Sequence, residues 1–268
     1  MNKAWTAAIA IAFFGVLAAG CEVPPELAKT VLTPPATPSP SEEKSKWQPV
    51  GEGVERLEFY TSTTTPTRLV LYRMPAKDFE WNFENSSQPQ RVSAWAKDAN
   101  DALLVVNGTY FHEDNLPSGF LVSHGTRVGS RKFDLDRSGV IAFSDQGPQL
   151  INTKTEPLDL TTVKNGAQSY PFIILDGQPS ITEDSGLLAR RTFLGLDRQG
   201  LVYIGVAPDE PVTLRELAQT LAGLDILWDK VINLDGGTST GLGFRSSAFN
   251  ETLDSYTTVP NVITVRKK

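Results

Sequence analysis

The sequence predicts an α+β fold with a mixed, mainly antiparallel β-sheet, a few helices and a single domain. Short apolar runs of strand length outnumber helical patterns, and many of these runs follow one another with no helix between them. A doubly wound α/β fold would instead alternate strands with helices. The strand-like runs cover residues 56–60, 68–73, 103–106, 119–123, 139–143, 172–175, 201–206, 231–234 and 259–265.

Helical and turn signals complete the predicted secondary structure. Residues 213–216 read Thr-Leu-Arg-Glu, which is typical of a capping box, and an apolar stripe at helical spacing then runs to Gly223. A weaker helical pattern covers residues 91–100. Residues 192–197 and 201–207 flank a short polar segment that contains glycine, and they are therefore predicted to form a hairpin.

The first twenty residues are predicted to be a secretory signal, because a basic start at Lys3 leads into an apolar run. The run ends near Leu17 and is shorter than the roughly 20 apolar residues that span a bilayer. Residues 17–21, Leu-Ala-Ala-Gly-Cys, resemble the lipobox of bacterial lipoproteins. We therefore predict a lipidated Cys21 and a membrane-anchored protein of the bacterial cell envelope. The alternative is a cleaved signal with an incidental thiol.

Residues 21–46 are predicted to be a disordered linker, because they are rich in Pro, Ser, Thr and Glu. Residues 47–268 are long enough to form one domain with a sizeable core. Removing residues 1–20 takes away one basic residue and leaves a net charge of −7. This balance argues against nucleic acid as a partner.

The most informative motif lies at residues 231–240, Val-Ile-Asn-Leu-Asp-Gly-Gly-Thr-Ser-Thr. An apolar strand carries the carboxylate of Asp235 into a loop of two glycines, Gly236 and Gly237. Such glycines let the backbone approach a ligand closely. Three hydroxyl residues then follow that could line an anion site, namely Thr238, Ser239 and Thr240. The alternative is a hairpin turn at Asp-Gly.

A second polar loop follows the apolar strand at residues 103–106. Asn107 and Gly108 come at the strand end, and Thr109 and Tyr110 follow them. Asn107 could contact a ligand there, and the aromatic residues could stack on a sugar face. Asn-Gly is also a hairpin signal, so a simple turn is the competing interpretation.

Arg190 and Arg191 immediately precede a predicted strand, and the planar fork of arginine suits phosphate or carboxylate. Since neighbouring side chains on a strand point to opposite faces, at most one of them faces a given site. The other is expected to be solvated.

Asp176 gives a second carboxylate at a strand end, and it could be the partner of Asp235 or a hairpin-turn residue. Together with Asn107 these two acids could form an oxygen site for Mg²⁺ or Ca²⁺, although no metal pattern stands out. The two histidines, His112 and His124, lack ligand spacing. The sequence also lacks a P-loop and a dinucleotide fingerprint.

Five motifs, taken in order, resemble the phosphodiester glycosidase family. They are Asn-Gly-Thr-Tyr-Phe at 107–111, Pro-Phe-Ile-Ile-Leu-Asp-Gly at 171–177, Arg-Thr-Phe-Leu-Gly at 191–195, the helix that contains Glu-Leu-Ala at 216–218, and Asn-Leu-Asp-Gly-Gly-Thr-Ser-Thr at 233–240. The resemblance spans about residues 100 to 265. This chain departs from the family at Thr109 and Thr238, where glycine is usual or common.

The resemblance implies hydrolysis of a sugar-1-phosphodiester at the glycosidic carbon, with a carbohydrate phosphodiester as the partner. It assigns catalysis to Asp235 as base or nucleophile, to Arg191 on the phosphate and to Asn107 on sugar hydroxyls. Further substrate-binding residues are predicted at Gly108, Thr109, Tyr110, Asp176, Gly236, Gly237, Thr238, Ser239 and Thr240. Two rival functions stay open: a surface lipoprotein that binds glycans without catalysis, and a metal-dependent phosphodiesterase.

Overall fold

The computed structural model describes residues 46–61, 65–129 and 132–268. The predicted signal segment, the lipidated Cys21 and almost all of the linker lie outside these residues. The boundaries predicted at residues 20 and 46 therefore stay predictions.

Strands make up most of the ordered structure. In chain order they are β1 (Gln48–Gly51), β2 (Val54–Tyr60), β3 (Arg68–Pro75), β4 (Phe79–Gln90), β5 (Leu104–Asn107), β6 (Leu121–Ser123), β7 (Thr126–Arg127), β8 (Gly139–Ser144), β9 (Gly147–Asn152), β10 (Gly166–Ser169), β11 (Phe172–Leu175), β12 (Gln178–Pro179), β13 (Ala189–Asp197), β14 (Leu201–Val212), β15 (Trp228–Asn233), β16 (Leu242–Arg245), β17 (Asn250–Leu253) and β18 (Val259–Lys267). The two α-helices are α1 (Val92–Asp98) and α2 (Leu214–Ala222). All nine strand-like runs of the sequence coincide with observed strands.

The strands form three sheets. The largest has eight strands in the order β1-β2-β3-β14-β13-β15-β11-β12, and the two five-stranded sheets run β7-β6-β10-β8-β9 and β17-β16-β5-β18-β4. The antiparallel prediction is confirmed, and the parallel component implied by a mixed sheet is not found within the described ranges. Since the described residues contain only two short α-helices, the fold there is mainly β rather than the predicted α+β. Several neighbouring strands, such as β8 and β9 or β13 and β14, are joined by tight turns, and such turns suit antiparallel neighbours.

The main core lies between the eight-stranded sheet and the two smaller sheets. Tyr72 of β3 stacks on Phe244 of β16, with ring centroids 4.7 Å apart. A second core fills the opposite face of the large sheet, beneath α2, where the Trp228 indole N–H donates to the Leu221 carbonyl at 2.8 Å. Because both faces of this sheet are covered, its central strands are continuous apolar runs rather than alternating ones.

The two helices begin and end as their sequences predict. The hydroxyl of Thr213 accepts the Glu216 N–H, and the Glu216 carboxylate accepts the Thr213 N–H, which completes the capping box of α2. The weaker pattern at residues 91–100 corresponds to α1. No helix in the described part of the chain is long and apolar enough to cross a membrane.

The hairpin predicted around residues 198–200 is confirmed as the β13–β14 pair. The longest pairing that the sequence did not predict joins β4 to β18. In β4, Phe79, Trp81 and Phe83 alternate with polar residues and point into the core. Its second half contains Ser-Ser and Pro, which are typical of loops, and this composition conceals the strand.

Candidate active site

Asp235 follows β15 directly and lies opposite Arg191. The Leu234 N–H donates to the Thr192 carbonyl at 2.8 Å, so the β13–β15 ladder continues beyond Asn233. Continuing the same register pairs Arg191 with Asp235, and paired residues of an antiparallel ladder share one face. The backbones of these two residues are therefore neighbours at the end of the large sheet, although their side chains do not form an ion pair.

The carboxyl group of Asp235 is half-buried and held by its own loop. Its Oδ1 accepts the Gly236 N–H at 2.9 Å, and the Ser239 hydroxyl is a second hydrogen-bond partner. Burial raises the pKa of Asp235 above the ordinary value, while these two hydrogen bonds act in the opposite direction. A carboxyl group with a raised pKa is well suited to exchange protons with a reacting water.

The two polar loops predicted from the sequence meet at Asp235. The Asp235 N–H donates to the Gly108 carbonyl at 3.2 Å, and the Asn107 Nδ2 donates to the Asp235 carbonyl at 2.8 Å. Neither loop is the hairpin considered as an alternative. Gly108 continues alongside β18, with its N–H bonded to the Asn261 carbonyl at 3.0 Å, and the Asp235 loop leads into another sheet.

The structure corrects the role predicted for Asn107. Its side chain is fully buried, and its Oδ1 already accepts the Thr192 hydroxyl at 2.8 Å and the Gly241 N–H at 3.1 Å. Since its Nδ2 is bound to the backbone of Asp235, no polar atom is left for a sugar hydroxyl. Asn107 is a positioning residue that fixes the loop carrying Asp235.

Arg191 is a buried cation without a carboxylate partner. Its Nε donates to the Val212 carbonyl at 3.0 Å and its Nη2 to the Leu187 carbonyl at 2.6 Å. Within the described residues, Nη1 has no hydrogen-bond partner and no acid lies within ion-pairing distance. Burial lowers the pKa of Arg191, because a charge that is buried without an opposite charge is less stable than one in water. Such a site favours an incoming anion. Two nitrogens of the guanidinium that the sequence predicted to bind phosphate, Nε and Nη2, therefore already donate to backbone carbonyls.

Arg190 points to the opposite face of β13, as the alternation of side chains predicts. The expectation that it would be solvated is wrong, because only 6% of its surface is exposed. Its Nε donates to the Pro208 carbonyl at 2.5 Å and its Nη2 to the Asp254 carbonyl at 3.1 Å. A guanidinium offers several donors on a long stem, so it can be buried against carbonyls where the sequence alone suggests exposure.

Tyr110 lies near the Asp235 carboxyl group and packs against Tyr170. The Tyr110 hydroxyl donates to the Tyr170 carbonyl at 2.9 Å and accepts a short hydrogen bond from the Asn233 Nδ2. The two tyrosine rings pack at 4.9 Å. Burial and the negative charge of Asp235 raise the pKa of Tyr110, so the phenol stays neutral beside the carboxylate.

Asn233 and Tyr170 are site residues that the sequence reasoning missed. Asn233 precedes Asp235 by two residues, and the period of a strand places both side chains on the same face. That spacing was the available signal. The Oδ1 of Asn233 is buried, and no described residue donates a hydrogen bond to it. Nothing in the sequence near Tyr170 marks it, because its proximity to Tyr110 depends on how the sheets pack.

Three residues predicted to bind substrate are structural instead. The Thr109 hydroxyl is buried and donates to the Gln168 carbonyl at 2.5 Å. Thr240 is fully buried, and its hydroxyl forms a hydrogen bond with the Thr192 hydroxyl at 3.3 Å. At Gly108, an added Cβ would collide with the side-chain oxygen of Asn261, so close packing rather than ligand binding requires this glycine.

The other residues of the Asp235 loop remain available to a ligand. Gly237 has φ +60°, and an added Cβ there would meet nothing within 4 Å. Thr238 is exposed at the tip of the loop, and Ser239 lies beneath it against Asp235. Gly236 is packed more tightly, because an added Cβ would lie 2.7 Å from the Arg190 carbonyl. The open edge of the loop is therefore at Gly237 and Thr238.

Asp176 is not brought to this site. It lies at the hairpin turn between β11 and β12, and the neighbouring Gly177 N–H donates to the Asp229 carbonyl at 3.0 Å. Because β11 and β15 are antiparallel, this turn is at the end of β15 opposite to Asp235. The oxygen site for Mg²⁺ or Ca²⁺ considered for Asp235, Asp176 and Asn107 does not assemble. The described part of the chain contains no group of three or more His, Cys, Asp or Glu residues that could hold a metal ion.

The chain matches the family model described as phosphodiester glycosidase over residues 100–266. This region contains every side chain of the site, from Tyr110 to Ser239. Comparison with curated proteins gives no match.

Solved structures that share the fold include the two that follow. The catalytic domain of zebrafish N-acetylglucosamine-1-phosphodiester α-N-acetylglucosaminidase, auto-inhibited by its pro-peptide, is 14% identical with a TM-score of 0.62, and the match covers 84% of this chain and 88% of that one. A hypothetical protein from Synechocystis is 15% identical with a TM-score of 0.63, and the match covers 84% of this chain but only 64% of that chain.

The family model covers more than half of the sequence, and it includes both strands that end at the site together with the loop that carries Asp235. On this evidence the chain belongs to the phosphodiester glycosidase family.

Proposed function

We propose that this protein hydrolyses sugar-1-phosphodiesters, breaking the bond between the anomeric carbon and the phosphate oxygen. The observation that carries the proposal is the buried, unpaired guanidinium of Arg191 on the same face as the half-buried carboxyl group of Asp235. The cation suits the phosphate of the substrate, and the carboxylate suits the reacting carbon. Family membership supports the same class of reaction.

One carboxylate is sufficient for this chemistry. An ordinary glycosidase needs a second carboxyl group to protonate a poor alkoxide leaving group. The leaving group here is a phosphomonoester, which departs as a stable anion, so the bonding electrons can pass to the phosphate oxygen without a proton. Arg191 then stabilises the negative charge that develops there.

In the proposed mechanism Asp235 acts as the base. Its carboxylate takes a proton from a water molecule as that water attacks the anomeric carbon, and the products are a free sugar and a phosphomonoester. The Gly236 N–H and the Ser239 hydroxyl orient the carboxylate, and Asn107 holds the backbone from which it projects. The negative carboxylate also stabilises the positive charge that develops on the sugar ring.

Hydrolysis in ¹⁸O-labelled water tests the proposal against both rival functions. The name of the zebrafish relative suggests the first substrate, the methyl phosphodiester of N-acetylglucosamine 1-phosphate. Label in the released sugar is the expected result, because the carbon–oxygen bond is broken. Label in the phosphate would indicate a phosphodiesterase, and binding without cleavage would indicate a glycan-binding protein. Asp235→Asn protein, prepared in parallel, controls for contaminating hydrolases.

We further propose that the natural substrates are glycans of the bacterial envelope or its surroundings, reached from a lipid anchor at Cys21. The support is the Leu-Ala-Ala-Gly-Cys sequence at residues 17–21 and the Pro-rich linker that follows it. Cys21→Ala is expected to move the protein from the membrane fraction to the soluble fraction. Ser41→Ala, in the linker, should leave the fractionation unchanged. Sedimentation of Cys21→Ala with membranes would contradict the anchor.

A further inference from the structure

Arg190 is a buried cation that the proposed reaction does not use. It lies on β13 beside Arg191 and points to the opposite face of the sheet. Burial lowers the pKa of Arg190, and the negative charges of Asp209 and Asp254 offset only part of this effect. Since a buried charge lowers stability unless it is hydrogen-bonded, the bonding partners of Arg190 indicate its role.

The guanidinium of Arg190 joins segments that are distant in the sequence. Its Nε donates to the Pro208 carbonyl at 2.5 Å and its Nη2 to the Asp254 carbonyl at 3.1 Å. The ring of Tyr256 covers it, with the ring centroid 3.9 Å from the guanidinium carbon. Among the described residues, Nη1 has no hydrogen-bond partner. Arg190 therefore holds residues 254–256 against β13 and β14.

This segment holds the loop that carries Asp235. The N–H groups of Tyr256 and Thr257 both donate to the Thr238 carbonyl, at 2.7 and 3.1 Å. Thr238 itself is exposed, so these two bonds are the contact through which residues 254–257 restrain the tip of the loop. A displacement of the segment would therefore move the loop.

The residue after Thr238 connects this contact to the carboxyl group. Ser239 is a hydrogen-bond partner of the Asp235 carboxyl group, and its bond favours the charged form. Arg190 also limits the start of the loop, because a Cβ added at Gly236 would lie 2.7 Å from the Arg190 carbonyl. The backbone of Arg190 thus packs against one end of the loop, and its side chain reaches the other end through residues 254–257.

Helix α1 supports the same segment independently of Arg190. The N–H and the hydroxyl of Ser93 donate to the Asp254 carboxylate at 2.9 and 2.8 Å. The Val92 N–H donates to the Ser255 hydroxyl at 3.1 Å. With these bonds in place, a change at Arg190 should displace the segment without unfolding it.

We propose that Arg190 is a positioning residue for the proposed reaction, because it fixes the segment that keeps the Ser239 hydroxyl on the Asp235 carboxylate. The side chain acts through residues 254–257 and does not contact the substrate. This inference rests on the proposed function, since Asp235 is the base of that reaction.

The test measures kcat/KM as a function of pH for the full chain, on the methyl phosphodiester of N-acetylglucosamine 1-phosphate. Because Asp235 acts as a base, the rate should rise as the pH passes through its pKa. Loss of the Ser239 bond raises that pKa, so the rise should move to higher pH. The other charged or titratable groups of the site, Arg191 and Tyr110, stay unchanged in every variant.

Arg190→Lys keeps the charge but loses the planar group that donates to two carbonyls. The rise in kcat/KM should move up by about one pH unit, the scale of one hydrogen bond to a charged group. Above the rise, kcat should fall by about tenfold with KM within about twofold of wild type, because the carboxylate is less well oriented.

Ser239→Ala separates positioning from a general loss of structure. It removes the hydroxyl directly and should move the rise in the same direction. If Arg190 acts through Ser239, the double variant should show the shift of Ser239→Ala and no further shift. Additive shifts would overturn the inference.

Arg73 offers a matched control, since its guanidinium also lies over an aromatic ring, 4.1 Å from the centroid of Trp47, on another strand of the same sheet. Arg73→Lys should change neither the rate nor its pH dependence. A uniform loss at every pH in Arg190→Lys, or no loss, would overturn the inference while the proposed function stands. If the wild-type protein releases no sugar at any pH, the proposed function fails and the inference fails with it.

Thermal melting shows whether each variant is folded in the assay. If Arg190→Lys is not, Tyr256→Ala takes its place, because it removes the ring over the guanidinium and leaves the hydrogen bonds of Arg190. A smaller shift in the same direction is then expected, and an unchanged pH profile would overturn the inference.

Discussion

The tripeptide Leu-Asp-Gly occurs twice in this chain, at residues 175–177 and 234–236. The two copies differ in burial and in hydrogen bonding. Asp176 is exposed at the turn of an edge hairpin, where it adopts φ +51° and Gly177 adopts φ +79°. Asp235 is half-buried and hydrogen-bonded within its loop. Both follow an apolar strand, so the local sequence alone does not distinguish a turn from a site.

The difference comes from what surrounds each strand end. β12 has only two residues and ends the large sheet, and the exposed Arg198 side chain donates to the carbonyl of Asp176 at this turn. β15 lies between β13 and β11, and β5 of another sheet ends against the Asp235 loop. Where two sheets meet, a carboxyl group is partly buried, and this burial raises its pKa.

The strongest test of this comparison replaces each acid in turn. Asp235→Asn should lower kcat/KM for a sugar-1-phosphodiester by at least about a hundredfold, the scale of losing a positioned acid or base. Asp176→Asn, the matched change at the other copy, should leave the rate within about twofold of wild type. Steady-state rates on the methyl ester measure both. Comparable losses of kcat/KM in the two variants would show that Asp235 has no greater role in catalysis than Asp176.

Much of the fold was predictable because the central strands are apolar runs bounded by turn residues. β11 and β15 are examples, and the capping box fixed the start of α2. β10 was not predictable, because Gly-Ala-Gln-Ser carries no strand signal and is buried through its position between β6 and β8 and against the main core. The share of helix was overestimated, because the sequence does not show how many strands are joined by simple turns.

The two neighbouring arginines give the next test. Arg191→Lys keeps a positive charge but loses the planar group that donates to the carbonyls of Val212 and Leu187. We expect kcat/KM for the phosphodiester to fall by about thirtyfold, roughly 2 kcal/mol of transition-state stabilisation. An aryl glycoside of the same sugar has no phosphate to lose, so its cleavage should be nearly insensitive. Arg190→Lys, on the opposite face, should not show this selectivity. A selective loss of phosphodiester cleavage in Arg190→Lys alone would show that the phosphate binds on the other face of β13, the face of Arg190.

A substitution at Asn107 tests whether this residue positions the Asp235 loop or contacts the substrate. Asn107→Ala removes the side chain that joins Thr192 and Gly241 to the backbone of Asp235, and leaves those groups unsatisfied. We expect the free energy of unfolding to fall by about 1–3 kcal/mol and the rate to fall with it. Denaturant unfolding of Asn107→Ala and Asp235→Asn compares the two. If Asn107→Ala loses activity at wild-type stability, Asn107 contacts substrate after all.

The site was predictable only where side-chain type and strand position were sufficient. Asp235 and Arg191 were both named from the sequence, and continuing the register of the β13–β15 ladder beyond Phe193 and Asn233 would pair them. The burial of Asn107 was not predictable, since an amide at a strand end can point into the protein or out of it. Tyr170 entered the site through a contact between distant segments, which no local pattern records.

The smallest expected effect is on stability as a function of pH. Because burial raises the pKa of Asp235, the folded protein binds this proton more tightly than the unfolded chain does. The contribution favours folding below the ordinary carboxyl pKa of about 3.9 and is lost as the pH rises through the raised value. Above that value the charged, half-buried carboxylate destabilises the fold.

Asp235→Asn should therefore melt at a slightly higher temperature than wild type at neutral pH, and the difference should vanish at acidic pH. Asp176→Asn removes an exposed carboxylate by the same substitution and should show no such trend. Melting curves of the three proteins across the pH range measure the effect. A lower melting temperature for Asp235→Asn at neutral pH would mean that the hydrogen bonds from Gly236 and Ser239 outweigh burial, and that the carboxylate stabilises the loop rather than being held there at a cost.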